Sequence, residues 1–260
     1  MPLVLPARHV IRATPRTRII QLELGDQPLA FQAGQAVMAG LPGSPVRKPY
    51  SIACSPGQAA RDRLLELLVQ VDDTGSPDPH LERVIPGGEV AFEGPFGTFV
   101  LDAPPAEPAV IFLAGGTGIA PLRAMLWRLL EQDWGGRVAL LYSARAPEEF
   151  AYREELEALA AEGRIELGLT VTRARDGWAG VTGRIDRRLV EGILAGARAH
   201  AYLCGPRAFV ADAAALLLAA GVPAAAIDIE RVAGEGRRRR DTMPRPARRP
   251  AGATARGPEA

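Results

Sequence analysis

The hydrophobic pattern of this 260-residue chain changes near residue 102, and the change restricts the possible folds more than any other feature. Before it, apolar residues come in short runs, several of which alternate with polar residues at a period of two. A proline-rich segment, "DAPPAEPA" at 102–109, follows, and beyond it apolar runs alternate with helical stretches. Because alternation at a period of two indicates strands, the chain should contain two differently built units.

The first unit is predicted to be a six-stranded antiparallel β-barrel. Pro, Gly or Asp turns separate its short strands, and six strands at this spacing are typical of a small barrel. One brief helix is expected near residues 78–85, "DPHLERVI". The predicted strands are "ARHVIRAT", "TRIIQLEL", "QAVMAGL", "RKPYSIA", "LLELLVQV" and "EVAFEG".

The second unit is predicted to be a Rossmann-like, nucleotide-binding α/β domain. Apolar strands, the first "AVIFLAGG" and the last "AAIDIE", alternate with helical stretches such as "APLRAMLWRLLEQ" and "PEEFAYREELEALAAEG". This repetition produces a parallel sheet with helices on both faces. We therefore expect a β-barrel domain at 1–103 and an α/β domain at 104–232.

The final segment, 233–260, has no hydrophobic periodicity and carries eight arginines against three acidic residues. Gly, Pro, Ala and Arg dominate it, so we expect it to be disordered. The sequence leaves three interpretations open: a solvated appendage, a docking segment for an acidic partner or nucleic acid, or an out-of-frame read-through. The solvated appendage is favoured, and a nucleic-acid partner is not.

The usage of cysteine and histidine excludes several classes of protein. The two cysteines, Cys54 and Cys204, are too few for a disulfide framework or for the four thiolates of a typical iron–sulfur cluster. The three histidines stand alone, without the spacing of metal ligands. No apolar run is long enough to cross a bilayer, and the N-terminus does not resemble a signal peptide. We expect a cytoplasmic protein without a metal site or a membrane segment.

A glycine-rich loop directly follows the first strand of the second unit. Gly115, Gly116, Thr117 and Gly118 lie between "VIFLA" and the helical stretch that begins at "IAPL". Glycines allow the backbone to approach a pyrophosphate, and the start of the helix supplies free N–H groups. No lysine follows, so the loop is not a P-loop. The alternative is a strand-to-helix turn without a ligand.

Two more candidate segments follow later strands, at the edge where ligands of such sheets bind. Ser143, Arg145, Tyr152 and Arg153 follow "RVALLY", while Cys204, Gly205 and Pro206 follow "AHAYL". A buried thiol that serves only packing is the commoner fate of a lone cysteine. Arg145 and Arg153 could equally be solvated residues at the start and on the face of a helix.

Taken in order, these motifs resemble the ferredoxin–NADP reductase superfamily of flavin reductases. The resemblance covers residues 5–232. It depends on an acidic residue near the end, Glu230, and on four motifs: "RKPYS" at 47–51, "GPFGTF" at 94–99, "GGTGIAP" at 115–121 and "YLCGP" at 202–206.

The resemblance implies that a flavin binds along "RKPYS". Tyr50 would stack on the isoalloxazine, and the Ser51 hydroxyl would approach flavin N5. The motif's phosphate-binding arginine falls on Lys48, which is followed by Pro49 and is the only lysine in the chain. Since residues two apart share a face of a strand, Lys48 and Tyr50 should face the flavin together and Arg47 the other way. The alternative is that Arg47 reaches round to the phosphate.

The second flavin segment implied by the resemblance is "DTGSPDPHLERVIPGG" at 73–88. Gly75 and Ser76 would offer backbone amides to a flavin phosphate. The spacing in this segment does not separate FAD from FMN, whereas "GPFGTF" resembles the FAD-binding members. We therefore favour FAD over FMN.

The resemblance also places a nicotinamide nucleotide on the α/β domain. The glycine loop would hold the pyrophosphate, Cys204 would pack beside the nicotinamide C4, and Glu230 would complete the polar surroundings of the hydride path. Together with Ser51, these two residues form the predicted catalytic set. Because the extra phosphate of NADPH suits Ser and Arg, the segment after the second strand favours NADPH over NADH.

The implied activity is hydride transfer between NAD(P)H and bound FAD, with electrons then passed to a separate acceptor. That acceptor would be a ferredoxin, an oxygenase component or a small molecule. Two alternatives stay open at this point: a subunit that carries electrons only within a complex, and a module that keeps the fold but has lost the chemistry.

Overall fold

The structure is a computed structural model that describes residues 2–26, 29–71, 81–174 and 177–231. It contains one antiparallel and one parallel sheet, each of six strands. The predicted fold class is therefore confirmed. Within the described residues, no helix is both long enough and apolar enough to cross a membrane.

The antiparallel sheet contains the six strands that the alternating pattern predicts. Its strand order is β4-β3-β6-β1-β2-β5, and the register of every pair is antiparallel. The strands are β1 (Leu3–Thr14), β2 (Thr17–Glu23), β3 (Ala36–Gly40), β4 (Lys48–Ser51), β5 (Leu64–Gln70) and β6 (Glu89–Phe96).

The two edge strands of this sheet meet and close it into a barrel. Just after β4, Ile52 forms an isolated antiparallel bridge with Leu67 of β5. The next residue, Ala53, donates its amide to the Glu66 carbonyl at 2.8 Å. Closure satisfies edge groups that would otherwise be exposed. It also places β4, the predicted flavin strand, directly beside β5.

A short helix that the sequence analysis did not predict, α1 (Pro56–Asp62), connects β4 to β5. Ser55 caps its N-terminus by accepting a hydrogen bond from the Gln58 amide at 2.9 Å, and the Gln58 side chain accepts one from the Ser55 amide at 3.0 Å. This reciprocal pair is a capping box, and Pro56 suits the first helical position.

The helix predicted at 78–85 is present only as the three-residue 3-10 turn Leu81–Arg83, and residues 72–80 lie outside the described part. The helical stretch predicted at 147–163 is divided in two. A 3-10 turn at Pro147–Glu149 precedes the helix proper, which begins at Arg153 because Tyr152 has a left-handed φ of 60°.

The parallel sheet has the strand order β10-β9-β8-β7-β11-β12, and all its pairs are parallel. Strand β10 is only two residues long and was not predicted. The elements are β7 (Ala109–Gly115), α2 (Ile119–Glu131), β8 (Arg137–Ala144), α3 (Arg153–Ala161), β9 (Glu166–Val171), β10 (Val181–Thr182), α4 (Arg187–Leu194), β11 (Ala199–Gly205), α5 (Arg207–Ala219) and β12 (Ile227–Arg231).

Helices cover both faces of the parallel sheet, as β-α repetition requires. Along β7, Phe112 packs in a core shared with α2 and α3, whereas its neighbour Leu113 packs in the core shared with α4 and α5. Both side chains are fully buried. Burial on both faces explains why this strand is continuously apolar rather than alternating.

The core between α2 and the sheet extends into the barrel. Leu68 of β5 and the chain segment that follows β6, including Phe99 and Leu101, belong to this same cluster. The two sheets are therefore packed together through apolar contacts. This packing fixes the position of the barrel relative to the carboxyl ends of the parallel strands.

Candidate functional site

The strand order reverses between β7 and β11, and the glycine loop lies at this point. The chain steps from β7 to β8 on one side, while β11 pairs on the other. A Cβ at Gly118 would lie 2.2 Å from the carbonyl oxygen of Cys204, so only glycine fits where the glycine loop passes the end of β11. Ligands of open α/β sheets bind in the crevice outside such a reversal.

A cavity of about 500 Å³ opens at this crevice. Several predicted site residues line it, from the glycine loop, from the end of β8 and from the start of α5: Gly115, Gly116, Thr117, Ser143, Arg145 and Pro206. At Gly116 the backbone has a φ of 55° and an added Cβ would meet nothing within 4 Å, so the loop faces open space. The volume and the accessible backbone suit a nucleotide.

Tyr142 holds the glycine loop in place and was not predicted. Its hydroxyl donates to the Gly116 carbonyl at 3.0 Å and accepts the Ala151 amide at 3.3 Å. The ring is fully buried, and burial raises the pKa of the phenol above its usual value. The neutral phenol thus ties the loop after β7 to the loop before α3.

Arg145 and Arg153 lie in different surroundings. Arg145 is exposed at the cavity. Arg153 pairs with Glu157 at 2.7 Å, its guanidinium lies 5.6 Å from the centre of the Trp178 ring, and it is not among the cavity-lining residues of the described part. The described geometry of Arg153 is that of a helix-face residue.

The three residues predicted to be catalytic meet between the two sheets. The Ser51 hydroxyl donates to the Glu230 carboxylate at 3.4 Å, and the Cys204 thiol donates to the same oxygen at 3.6 Å. Cys204 and Glu230 are register partners on β11 and β12, whereas Ser51 is the last residue of β4. The end of the predicted flavin strand therefore contacts the switch point of the parallel sheet.

Burial controls the charge of this cluster. Burial raises the pKa of Glu230, and the hydrogen bonds from Cys204 and Ser51 only partly oppose it. Burial, together with the nearby Glu230 charge, raises the pKa of Cys204 well above that of an ordinary thiol. Cys204 is therefore a neutral thiol and not a thiolate nucleophile.

Along β4, the register separates the side chains into two faces. Tyr50 lies opposite Val37 and Lys48 opposite Ala39, and both partners belong to the barrel core. Arg47 forms an ion pair with Glu93 at 2.7 Å. Lys48 is exposed and Tyr50 is half-buried.

Strand β4 thus carries the ammonium of Lys48, the ring of Tyr50 and the hydroxyl of Ser51. These are groups that could bind a phosphate, stack on an isoalloxazine and donate a hydrogen bond, as a flavin requires. The other predicted flavin residues, Gly75 and Ser76, lie outside the described residues. Of the sixteen residues that the sequence marks as flavin or nucleotide ligands, these two are the ones whose positions the described part does not include.

A buried charge cluster between the sheets was missed by the sequence analysis. The guanidinium of Arg123, on α2, donates to both carboxylate oxygens of Glu155 at 2.8 and 2.6 Å. Its remaining nitrogen donates to the Ala53 carbonyl at 2.6 Å and to Glu66 of β5 at 3.1 Å. Arg123 is 6% exposed. One side chain thus connects the helix after the glycine loop to the barrel.

The neighbours of Arg123 complete the cluster. Tyr152 places its ring 4.3 Å from the guanidinium and donates its hydroxyl to Glu66 at 3.0 Å. Burial, followed by the charge of Glu66, raises the pKa of Tyr152 well above its usual value. Burial lowers the pKa of Arg123, but the hydrogen bonds to Glu155 and the nearby charges, those of Glu66 and Glu155 among them, together outweigh it and keep the pKa of the guanidinium raised. The arrangement is an ion network that joins helices α2 and α3 to strand β5 of the barrel.

Comparison with known protein families gives a match over each sheet. Residues 3–101 match the oxidoreductase FAD-binding domain, and residues 112–215 match the oxidoreductase NAD-binding domain. The ferredoxin–NADP reductase B of Sorangium cellulosum is 36% identical over 203 residues, which cover 74% of this chain and 81% of that protein.

Two further similarities extend this result. The ferredoxin–NAD(+) reductase component of the alkene monooxygenase system of Xanthobacter autotrophicus is 33% identical over 185 residues, 68% of this chain but only 54% of that protein. The crystal structure of a ferredoxin NADP+ reductase from Neisseria gonorrhoeae, with bound FAD and NADP, superposes with a TM-score of 0.75 at 20% identity, covering 88% of this chain and 98% of that one. The latter similarity concerns the fold.

Proposed function

Since the chain belongs to the ferredoxin–NADP reductase superfamily of flavin-dependent oxidoreductases, we propose that it oxidises NADPH through bound FAD and passes the electrons to a separate ferredoxin or oxygenase component. FAD and a nicotinamide nucleotide are the cofactors of this family. The preference for NADPH, the acceptor and the assignment of individual residues are the parts proposed here. The proposed domains are a flavin domain at 1–103 and a nucleotide domain at 104–232.

The observation that carries the proposal is the contact of Ser51 with Glu230, beside Cys204. It joins the end of the proposed flavin strand to the end of the proposed nucleotide crevice. When bound, the nicotinamide supplies a hydride and the flavin accepts it, which requires their rings to stack at one place. In this proposal the two ring systems would meet at the junction between the sheets.

In this proposal the side chains position and insulate rather than react. Ser51 and Cys204 both donate to Glu230, and these hydrogen bonds hold the three groups in fixed orientations. Cys204 is fully buried, so little water reaches its side of the cluster. A dry, preorganised polar site is what hydride transfer between two ring systems needs from a protein.

The glycine loop and the end of β8 are the proposed nucleotide ligands. The loop at 115–118 would hold the pyrophosphate, and within it Thr117 would lie near the nicotinamide. Pro206, which lines the cavity, and Gly205 before it would be further nucleotide ligands. Ser143 and Arg145 support NADPH because a hydroxyl and a guanidinium suit an additional phosphate. Arg153 is proposed only as a secondary contributor, since Glu157 already binds it.

Along β4, Lys48 is the proposed phosphate ligand, with Pro49 and Tyr50 against the ring system and Ser51 at its reactive edge. Gly75 and Ser76 remain proposed ligands of the flavin phosphates. The acceptor is proposed from what the relatives' names state: one is a ferredoxin–NADP reductase and one a ferredoxin–NAD(+) reductase component of a monooxygenase system.

Anaerobic titration of the purified, flavin-containing protein tests the function. NADPH should bleach the flavin absorbance stoichiometrically, and NADH should do so at higher concentration or more slowly. Faster bleaching by NADH would refute the NADPH preference alone, and a flavin that neither nucleotide reduces would refute the proposed activity.

A second assay addresses the acceptor. The isolated chain, given NADPH and ferricyanide, should turn over repeatedly and should also reduce an added ferredoxin. Reduction of ferricyanide only in the presence of another protein would instead support a subunit that works within a complex.

A further inference from the structure

One wall of the cavity comes from the barrel and not from the parallel sheet. The turn between β1 and β2 lies there, and Arg16 at its tip lines the cavity together with Thr14 and Thr17. The glycine loop and Arg145, which belong to the α/β unit, line the same cavity. Within the described part of the chain, the Arg16 side chain has no hydrogen bond or ion pair.

The turn that carries Arg16 is firmly held. The hydroxyls of Thr14 and Thr17 are hydrogen-bonded at 2.8 Å, and both residues are buried. The Arg16 amide donates to the Thr14 hydroxyl at 3.1 Å, and its carbonyl accepts the Val71 amide at 2.7 Å. Pro15 restricts the backbone further. The base of the Arg16 side chain is therefore fixed at the cavity, while its guanidinium is available to a ligand.

The charges around the cavity favour an anion. Among the residues that the structure describes, three arginines line it against two carboxylates: Arg16, Arg145 and Arg184 against Glu149 and Asp212. Asp212 already pairs with Arg184 at 3.2 Å. Among the described lining residues, only the carboxylate of Glu149 is then left to balance the charges of Arg16 and Arg145.

We infer that Arg16 is a binding residue for the nicotinamide nucleotide and donates hydrogen bonds to one of its phosphate groups. The inference rests on the proposed assignment of this cavity to the nucleotide. Arg16 belongs to the barrel, so the bound nucleotide is held from both sheets rather than by the parallel sheet alone. Both the pyrophosphate and the 2′-phosphate of NADPH have the required chemistry.

The experiment is a calorimetric titration of the full-length, FAD-loaded protein with NADP+ and, separately, with NAD+. A charge-assisted hydrogen bond corresponds to about tenfold in Kd, so Arg16→Ala should weaken NADP+ binding by about that factor. Arg16→Lys should retain part of the affinity, and that part should fall as salt rises. Arg12→Ala is the matched control, because Arg12 is exposed on β1 and does not line the cavity. Flavin content and Tm of each variant verify folding.

The two nucleotides identify the phosphate. Weaker binding of NADP+ alone assigns Arg16 to the 2′-phosphate, whereas equal weakening of both assigns it to the pyrophosphate. If Arg145→Ala weakens NADP+ binding and Arg16→Ala changes neither Kd, the inference on Arg16 is wrong and the proposed nucleotide site stands. If neither variant changes either Kd, the assignment of the cavity is wrong as well, and the inference fails with it.

Discussion

At the scale of single residues, Lys48 is the departure from the family's flavin motif that most needs a test. The motif has arginine at this position, and lysine offers a point charge without the planar fork that binds phosphate through two hydrogen bonds. Arg47, next to it, is already held by Glu93. We expect Lys48→Ala to weaken FAD binding by about tenfold and Arg47→Ala to weaken it less.

The test is the Kd of FAD for the apoprotein, determined from the quenching of flavin fluorescence as FAD binds. Lys48→Arg is the informative companion variant, because it should bind FAD more tightly than the natural chain. Equal losses in the two alanine variants, or a larger loss for Arg47→Ala, would show that Arg47 reaches the phosphate.

Glu230 gives a prediction about pH. Burial raises its pKa above 4.5 in the folded protein, so the folded state holds this proton more tightly than the unfolded state does. This contribution to stability is fully present below pH 4.5 and is lost as pH rises through the higher, folded-state value. The glutamine in Glu230→Gln cannot ionise. The free energy of unfolding of this variant, relative to that of the natural protein, should therefore increase as pH rises from 4 to 7.

Urea denaturation of both proteins at a series of pH values measures this difference. Ser51→Ala keeps the titrating group but removes a hydrogen bond that lowers the pKa of Glu230, so this variant should still lose stability as pH rises. A difference between the natural protein and Glu230→Gln that stays constant over this range would mean that the carboxyl has an ordinary pKa.

The sequence pointed to the residues of the candidate site better than to the residues that support them. Ser51, Cys204 and Glu230 could be found because each lies within a short motif. Arg123 and Arg16 could not, because their roles depend on partners far away in the chain or on a cavity that exists only after two sheets dock. Thirty of the 31 basic residues are arginine, so arginine alone carries little signal in this sequence.

At the scale of elements, α1 shows which local signal the sequence contained. "SPGQ" at 55–58 has the Ser and Gln spacing of a capping box, with proline at the first helical position. The helix was missed because it is brief and lies between two predicted strands. Tyr152 illustrates the opposite case. The helical pattern of residues 147–163 continues through it, but its left-handed backbone interrupts the helix.

Ser55 has two functions in this element, and they lead to a prediction. It caps α1, and its hydroxyl donates to Glu131 at the end of α2 at 2.6 Å. Loss of a cap costs about 1 kcal/mol, and a buried acceptor left without its donor costs about 1–3 kcal/mol. We expect Ser55→Ala to lower the free energy of unfolding by about 2 kcal/mol or more. Gln58→Ala, which removes only the reciprocal half of the capping box, should cost less in the same urea titration; equal costs would mean that the bond to Glu131 contributes nothing.

At the scale of the whole molecule, the division into two sheets could be predicted and their docking could not. The change of hydrophobic period near residue 102 is local and survives in the sequence as a pattern. Docking depends on contacts such as Arg123 with Glu66, which are 57 residues apart, one on helix α2 and the other on strand β5 of the barrel. No periodicity encodes such a pair, and Glu66 lies within a strand that otherwise appears apolar on both faces.

This docking leads to the last prediction. Arg123 is buried and binds Glu155 on its own side and Glu66 and the Ala53 carbonyl on the barrel side. Removing one partner of a buried ion pair costs about 3–5 kcal/mol, since the other charges stay buried without compensation. Arg123→Ala should lower the free energy of unfolding by about this amount. Because the lost bonds join the two sheets, urea should also release the flavin before the helices unfold, whereas in the natural protein the two events should coincide.

Flavin fluorescence and far-ultraviolet circular dichroism, recorded in one urea series, follow the two events separately. Arg128→Ala is the control on the same helix, because Arg128 forms no ion pair or hydrogen bond within the described residues and its loss should cost at most about 0.5 kcal/mol. Adding Glu66→Gln and Glu155→Gln to an Arg123→Leu variant removes the uncompensated charges and should recover part of the stability but not the coupling of the two transitions. Coincident transitions in Arg123→Ala would show that apolar packing around Leu68 and Phe99 suffices to hold the sheets together.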